Sequence, residues 1–217
     1  MTINVMLVDD HTIVLDGLRL LLSNQPDIKV VDVAINGREA LQKLQNIQPD
    51  VLILDISMPE LNGIEAATHV REISPNTKII ILSMHATSEY IYRALQAGAR
   101  GYLLKESAGI ELVEAVRAVH KGSSYLSEKI SDTVLHGYLQ QRKETTATRP
   151  LSRLTSRERE ILQLVVEGKS SAEIAEILYL SPKTIETYRS RLMAKLDISD
   201  LPSLVKFAIQ HGLTPLQ

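Results

Sequence analysis

The sequence predicts an α/β doubly wound sheet of five parallel strands, followed by a small all-α domain of four helices. Near-continuous Val, Ile and Leu runs alternate with amphipathic helical segments, which indicates parallel strands covered by helices on both faces. From residue 151 onward the apolar spacing is that of helices alone. The 217 residues suffice for two modest domains, which we place at 1–121 and 147–217, with a linker at 122–146.

Five short apolar runs bounded by turn residues are the predicted strands. They are INVMLV (3–8), IKVVDVA (28–34), VLIL (51–54), KIIILS (78–83) and GYLL (101–104). Between them, apolar residues recur three and four positions apart, as at Leu18, Leu21 and Leu22, which is typical of helices. Asn36 followed by Glu39 predicts a capped helix start. Five such units fit a flavodoxin-like sheet.

Composition and charge narrow the class of protein. A content of 44% hydrophobic and 23% charged residues is typical of folded globular domains. The absence of Cys excludes disulfides and thiolate metal sites, and no apolar run approaches the roughly 20 residues of a membrane span. We therefore expect a cytoplasmic protein with no membrane partner. Residues 1–121 hold 11 Lys and Arg against 15 Asp and Glu, whereas residues 147–217 hold 10 against 8, which predicts different partners for the two halves.

Charged and hydroxyl side chains stand at the ends of four of the five predicted strands. In chain order they are Asp9, Asp10, Asp55, Ser83 and Lys105. Because parallel strands end at one edge of a sheet, we expect these side chains to lie together. Clustered carboxylates repel one another unless a cation lies among them, and all-oxygen ligands suit Mg²⁺, with Mn²⁺ as a substitute. A carboxylate beside a metal can attack phosphorus to form an acyl phosphate, and an ammonium and a hydroxyl can bind the transferred group.

The second domain carries three helix-start signals and a turn. Capping-box spacings occur at residues 155–158 and 170–173, and Ser181-Pro182 opens a third helix. A turn at Tyr179 between two helices predicts a helix-turn-helix. A linker helix is predicted at 128–143 and a flexible joint at 144–150, because the latter is polar and ends in Pro.

The helix after the turn is basic. Its single acid, Glu186, stands against four cations, which are Lys183, Arg189, Arg191 and Lys195. Lys and Arg can contact phosphates, whereas the shorter side chains of Glu186, Thr187 and Ser190 can reach base edges. A plain helical bundle with a solvated basic face has similar spacing, so spacing alone leaves both interpretations open.

Two sets of motifs resemble a known family. VDD, LILDISMPELNG, ILS and GYLLK resemble the receiver domain of two-component response regulators over residues 1–121. LTSREREIL, EIAEIL and LSPKTIETYRSRLMAKL resemble the LuxR-type DNA-binding domain from about residue 147 to the C-terminus. Together they resemble the NarL/FixJ family of response regulators, which are switches and transcription factors rather than metabolic enzymes.

The resemblance implies roles for individual residues. Asp55 would be the phosphoacceptor. The ligands of Mg²⁺ would be Asp9, Asp10, Asp55 and the backbone carbonyl of Ser57. Phosphate sensing and switching would fall to Ser83, Tyr102 and Lys105. Contacts to DNA would come from Lys183, Thr184, Glu186, Thr187, Arg189, Ser190 and Arg191.

The resemblance also implies partners and states. The partners would be a sensor histidine kinase, double-stranded DNA and, after phosphorylation, a second copy of the chain. The unphosphorylated receiver would pack against the output domain and hinder DNA binding by helix 183–196. Tyr102 would turn from outside to inside on phosphorylation.

Some positions depart from the family pattern, and other classes remain open. Glu106 stands where many receivers have Pro, Ala172 where Asn is frequent, and Tyr188 where His is common. An alternative class is the aspartyl-phosphate phosphatases, which have a second Asp two residues after the nucleophile, where this chain has Ser57. Another alternative, a receiver that is never phosphorylated, is disfavoured by the intact acids and Lys105.

The six histidines fit no metal-site pattern, and we expect them to be structural or surface residues. They are His11, His69, His85, His120, His136 and His211.

Overall fold

The computed structural model describes residues 2–141 and 150–214, and its first domain alternates strands and helices. The strands are β1 (Ile3–Val8), β2 (Ile28–Ala34), β3 (Val51–Asp55), β4 (Lys78–Ser83), β5 (Gly101–Leu104) and β6 (Tyr125–Leu126). The helices are α1 (Thr12–Ser23), α2 (Gly37–Leu44), α3 (Gly63–Ile73), α4 (Ser88–Gln96), α5 (Ala108–His120) and α6 (Glu128–Gln141). Of the joint predicted at 144–150, residues 144–149 lie outside the described residues.

The sheet is parallel throughout, with the strand order β2-β1-β3-β4-β5-β6. The doubly wound prediction is confirmed, but the sheet has six strands instead of five. β6 has only two residues and lies in the segment predicted as linker. Ile130 of α6 is fully buried in the core of the first domain, so the start of that segment packs onto the sheet.

Alternation along the strands places apolar side chains on both faces of the sheet. Val5 and Leu7 of β1 belong to the core beneath α1 and α5, whereas Met6 and Val8 belong to the core beneath α2, α3 and α4. Each fully buried aliphatic side chain of this kind contributes about 1.5–3 kcal/mol. The two cores fix the sheet between helical layers and hold its carboxyl edge in one place.

Strand register brings the polar strand ends side by side. Val8 pairs with Leu54, and Asp55 pairs with Leu82 of β4. Ser83, the last residue of β4, pairs with Leu104, directly before Lys105. The register therefore aligns the ends of β1, β3, β4 and β5 along one edge.

The second domain consists of α7 (Ser156–Val166), α8 (Ser171–Leu178), α9 (Pro182–Leu196) and α10 (Leu201–Gln210). Both predicted capping boxes are confirmed, because each N-cap hydroxyl accepts from the N3 backbone N–H and each N3 glutamate accepts in return. Tyr179 takes a left-handed conformation with φ of 55° at the predicted turn. Side chains from α8 and α9 that hold the helix crossing are buried; they are Ile174, Leu178, Ile185 and Leu192. Among the described residues, no helix has both the length and the apolar character that crossing a membrane requires.

Candidate functional site

The strand ends form a buried acidic cluster around one ammonium group. Asp9 and Asp55 are 1% and 2% exposed. Lys105 Nζ lies 2.7 Å from Asp9 Oδ2 and 3.0 Å from Asp55 Oδ2, so one cation bridges both carboxylates. Asp10 stands next to Asp9 at the rim of the same cluster. The structure thus brings together the acids and the lysine that the sequence placed at the strand ends.

Burial dominates the electrostatics of this cluster. It raises the pKa of Asp55 to about 6, while the nearby Lys105 charge lowers it and the Asp9 charge raises it further. For Lys105, burial alone would lower the pKa, but the charges of Asp55 and Asp9 outweigh it and raise the pKa. Lys105 therefore stays charged at neutral pH, and Asp55 carries its charge at an energetic cost.

The cluster has the donor set that a divalent cation needs. Asp9 Oδ2, Asp10 Oδ1 and Asp55 Oδ2 are buried without an aligned hydrogen bond, although Lys105 makes ion-pair contact with two of them. Free lone pairs on three converging carboxylates fit a hard cation such as Mg²⁺. When bound, such a cation would screen the carboxylates and polarise a phosphoryl oxygen. The Ser57 carbonyl remains a predicted ligand.

His11 is a surface residue, as expected, with a side chain that is 61% exposed, but its ring also lies beside the acidic cluster. Its Nδ1 atom lies 2.8 Å from Asp10 Oδ1, within the group of ligand-type atoms formed by Asp9, Asp10 and Asp55. The Asp-Asp-His sequence at 9–11 was a signal that could have been read, since imidazole is a common metal ligand.

The predicted switch residues meet at a backbone turn after β4. Ser83 is fully buried, and its hydroxyl accepts a 3.0 Å hydrogen bond from the His85 backbone N–H. Tyr102 is also fully buried and donates from its hydroxyl to the His85 carbonyl at 2.8 Å, and burial raises its pKa. Tyr102 therefore lies in the inward one of the two positions expected for it.

His85 contacts several elements around the site, and this role was not evident from the sequence. Its Nε2 atom lies 3.3 Å from Ser57 Oγ, two residues after Asp55. Its ring stacks on Tyr90 of α4, with centroids 4.3 Å apart and planes 8° from parallel. His85 thus connects the loops after β3 and β4 with α4.

The loop after Asp55 is bonded directly to the second domain. Gln163 of α7 is fully buried, and its Oε1 accepts from the Asn62 backbone and side-chain nitrogens at 3.0 and 2.9 Å. Gln163 Nε2 donates to the Met58 carbonyl at 3.0 Å. Asn62 also caps α3, and a Cβ at Gly63 would overlap the Asp55 carbonyl, so this loop is tightly fixed. A change at Asp55 can therefore reach α7 through one short loop.

A buried carboxylate joins α3 and α4 to α7. Glu65 Oε1 lies 2.6 Å from Arg159 Nε and 3.2 Å from Arg93 Nη2, and Glu65 Oε2 accepts from Ser156 Oγ at 3.0 Å. Glu65 is fully buried. Two arginines, one from each domain, thus share one acid at the domain interface.

The end of α10 also contacts α4. Arg93 Nη1 donates to the His211 carbonyl at 2.9 Å, and His211 Nδ1 lies 3.2 Å from Glu89 Oε1. A Cβ at Gly212, where φ is 64°, would overlap the Tyr90 hydroxyl. The first domain therefore touches both α7 and the C-terminal turn.

A second interdomain ion pair links His69 of α3 to Glu160 of α7. His69 Nε2 lies 2.8 Å from Glu160 Oε1, and Arg157 Nη1 and Arg38 Nη2 lie 3.0 and 3.7 Å from Glu160 Oε2. The hydrogen bond to Glu160 raises the pKa of His69, although burial opposes this shift. Protonated His69 therefore favours contact between the domains.

Domain contact is expected to weaken as pH rises above about 6.5, the ordinary pKa of His69. Of the carboxylates that raise the pKa of His69, only Glu160 belongs to the second domain, whereas Glu65 and Glu72 share α3 with His69. Only the effect of Glu160 therefore depends on domain contact. Contact is therefore favoured below the ordinary value, and this advantage is lost as pH rises through the raised value. The His69 side chain is 34% exposed and therefore partly screened by water, so the pair should change the docking equilibrium about two- to fivefold.

Small-angle scattering at about pH 6 and about pH 8 measures this effect. His69→Gln should remove this part of the pH response, and His120→Gln, on a helix outside the interface, should retain it. Equal responses from the parent and His69→Gln would contradict the assignment.

Helix α9 presents its predicted DNA-contact residues to solvent. Five of them are exposed, and these are Lys183, Glu186, Thr187, Ser190 and Arg191. Thr184 and Arg189 are half-buried; Thr184 lies 2.8 Å from the Ser181 hydroxyl and Arg189 donates to Ser171 at 3.3 Å. The interdomain hydrogen bonds and ion pairs described above are made by α7 and by the end of α10. That the receiver hinders helix 183–196 stays a prediction.

Comparisons with known proteins identify both domains. Residues 5–117 match the family described as response regulator receiver domain, and residues 152–208 match bacterial regulatory proteins of the luxR family. The oxygen regulatory protein NreC of Staphylococcus carnosus is 38% identical over 212 residues, which are 96% of this chain and 98% of that protein.

Solved structures agree with these matches. A LuxR-family two-component response regulator from an Aurantimonas species is 35% identical, with a TM-score of 0.62, over 64% of this chain and 99% of that one. RcsB from Salmonella enterica serovar Typhimurium, solved bound to a promoter with the phosphomimetic BeF₃⁻, is 28% identical, with a TM-score of 0.61, over 95% of this chain and 98% of that one. This chain therefore belongs to the NarL/FixJ-type two-component response regulators, which join a receiver domain to a LuxR-type DNA-binding domain.

Proposed function

We propose that a sensor histidine kinase phosphorylates Asp55 and that phosphorylation promotes dimerisation and sequence-specific DNA binding. The observation that carries this proposal is the cluster of Asp9, Asp10 and Asp55 around Lys105, with carboxylate oxygens free to hold a cation. Asp55 is the acid of the central strand and accepts the phosphoryl group, while Asp9 and Asp10 hold Mg²⁺. The setting is the cytoplasm, where the DNA partner is found.

Coupling runs through the loop that follows Asp55. A phosphoryl group adds roughly two negative charges beside Lys105 and the Ser83 hydroxyl. Movement of Lys105 or Ser83 toward that charge alters the His85 turn and the loop bonded to Gln163. Release of α7 frees the output domain, and a two-fold dimer then binds two half-sites with higher affinity than either module alone.

Phosphorylation by acetyl phosphate with Mg²⁺ is expected to raise both the dimer fraction and the affinity for operator DNA. Light scattering and DNA titration on both forms measure these two quantities. Ser83→Ala should leave Asp55 phosphorylatable but reduce the gain, because the hydroxyl no longer follows the phosphoryl group. Asp10→Ala should lose the dependence on Mg²⁺ along with labelling. Equal dimerisation and equal DNA affinity with and without phosphate would overturn the proposed coupling.

Arg191→Ala is expected to weaken binding to all DNA sequences alike and to reduce the salt slope by about one unit. The reason is that Arg191 is an exposed cation on α9, suited to a phosphate contact. Ser190→Ala is the matched comparison, because the neighbouring hydroxyl is proposed to read a base and should alter sequence preference instead. Titrations at several salt concentrations on specific and unrelated DNA distinguish the two. A change of preference without a change of slope in Arg191→Ala would reverse these roles.

A further inference from the structure

The position of His11 within the acidic cluster has the dimensions of a coordination shell. His11 Nδ1 lies 2.8 Å from Asp10 Oδ1 and 3.2 Å from Asp9 Oδ1. Adjacent ligands of an octahedral ion with bonds of about 2.1 Å lie about 3 Å apart. Asp10 Oδ1 lies within ion-pair distance of the ring but has no aligned hydrogen bond. Both distances from the ring nitrogen match the separation of neighbouring ligands.

Helix capping and hydrogen bonding account for only part of the surroundings of the His11 ring. His11 is the N-cap residue of α1, yet its side chain makes no capping hydrogen bond. Asp9 Oδ1 accepts the His11 backbone N–H at 3.0 Å, and the ring nitrogen lies within hydrogen-bond distance of the same oxygen. A cation between ring and carboxylates would take the place of the proton in that contact. The ring is 61% exposed, so water can satisfy its second nitrogen.

A second observation points to a ligand at this place. Asp9 Oδ2 and Asp55 Oδ2 belong to residues 1% and 2% exposed, and neither oxygen has an aligned hydrogen bond. The two oxygens of Asp9 have different neighbours, because Oδ2 contacts Lys105 and Oδ1 contacts His11. Ligand-type atoms of Asp9, Asp10, His11 and Asp55, one from each residue, lie within 4.8 Å of one another.

We propose that His11 is a fourth side-chain ligand of this cation site and gives it a preference for Mn²⁺, Co²⁺ and Ni²⁺ over Mg²⁺. Imidazole nitrogen binds these borderline ions well, whereas Mg²⁺ favours oxygen ligands and water. Within the series, affinity should rise from Mn²⁺ to Co²⁺ to Ni²⁺. The proposal rests on the proposed function only in that both use the same cation site.

Calorimetric titration of the tag-free, full-length protein with Ni²⁺, Mn²⁺ and Mg²⁺ tests the proposal. His11→Gln should lower the affinity for Ni²⁺ by about tenfold or more, and the affinity for Mg²⁺ by less than about twofold. His120→Gln, outside the cluster, should alter neither affinity. Pulsed electron paramagnetic resonance of bound Mn²⁺ should show coupling to an imidazole nitrogen in the parent and none in His11→Gln.

The outcomes separate this proposal from the proposed function. Mn²⁺ without nitrogen coupling in the parent, or Ni²⁺ affinity unchanged in His11→Gln, would overturn the role of His11 while phosphorylation with Mg²⁺ continues. If the parent binds no divalent cation and Asp55 is not labelled, the proposed function fails as well. Circular dichroism of metal-free His11→Gln confirms that the variant is folded.

Discussion

Asp55→Asn is expected to abolish phosphorylation by acetyl phosphate and, in metal-free buffer, to stabilise the receiver domain. The loss of labelling follows because the amide cannot serve as the nucleophile. The gain in stability follows because burial raises the pKa of Asp55 to about 6, so its charge at neutral pH opposes folding. We expect the free energy of unfolding near neutral pH to rise by about 1–3 kcal/mol.

The pH dependence has a definite sign. The pKa of Asp55 is raised above its unfolded value of 3.8, so the folded parent binds the extra proton between about pH 4 and 6. The stability that this proton provides is complete below the unfolded value and is lost as pH rises through about 6. The difference between variant and parent should therefore be large above pH 6 and small near pH 4.

Urea titrations in the presence of EDTA measure this difference. Hydrogen exchange of β3 peptides is the readout, so that unfolding of the receiver domain alone is monitored. Asp16→Asn, which changes an exposed acid on α1, is the control and should show little difference. A variant less stable than the parent at neutral pH would show that the Asp55 charge is well accommodated. Persistent labelling of Asp55→Asn would mean that another acid is the phosphoacceptor.

Glu65→Gln is expected to separate the two domains. The change leaves the Arg93 and Arg159 side chains, which are 11% and 19% exposed, without their shared counter-charge. Removing one partner of a buried ion pair costs about 3–5 kcal/mol when the other charge stays buried. Domain separation hydrates both arginines, so the docking equilibrium should shift toward the open form by a factor of about 100 or more.

Small-angle scattering and hydrogen exchange of α7 peptides in the parent and the variant measure this shift. Glu72→Gln is the matched control, because it neutralises an exposed acid on the same helix. We expect the Glu65→Gln protein to bind operator DNA more tightly without phosphate, since α7 and the end of α10 are released. Unchanged scattering and unchanged α7 exchange would show that Glu65 does not hold the domains together.

Much of the fold follows from local sequence. Four of the five predicted strands have the observed bounds, and β3 differs only by including Asp55. Buried parallel strands are short apolar runs, and helix starts depend on side chains within three residues, so both are visible locally. β6 was not predicted because two residues are too few to show a period. It forms because Tyr125 and Leu126 pair with Gly101 and Tyr102.

The candidate site was predictable for a related reason. In a parallel sheet every strand ends at the same edge, so knowing the strands was enough to bring Asp9, Asp55 and Lys105 together. Side-chain direction beyond the strand ends was not predictable in this way. The inward position of Tyr102 depends on the His85 carbonyl, and the place of the His11 ring depends on carboxylates whose orientation is set by Lys105.

The sequence by itself determined the strands, the helix caps, the cluster of acids at the sheet edge and the basic character of α9. Only the tertiary structure decided how the two domains meet. Gln163 and Asn62 are 101 residues apart in the chain, and Glu65 and Arg159 are 94 apart. Such polar contacts leave no periodic signal, because each forms only where two independently folded surfaces happen to match. The same surfaces leave α9 exposed and bond the phosphoacceptor loop to α7.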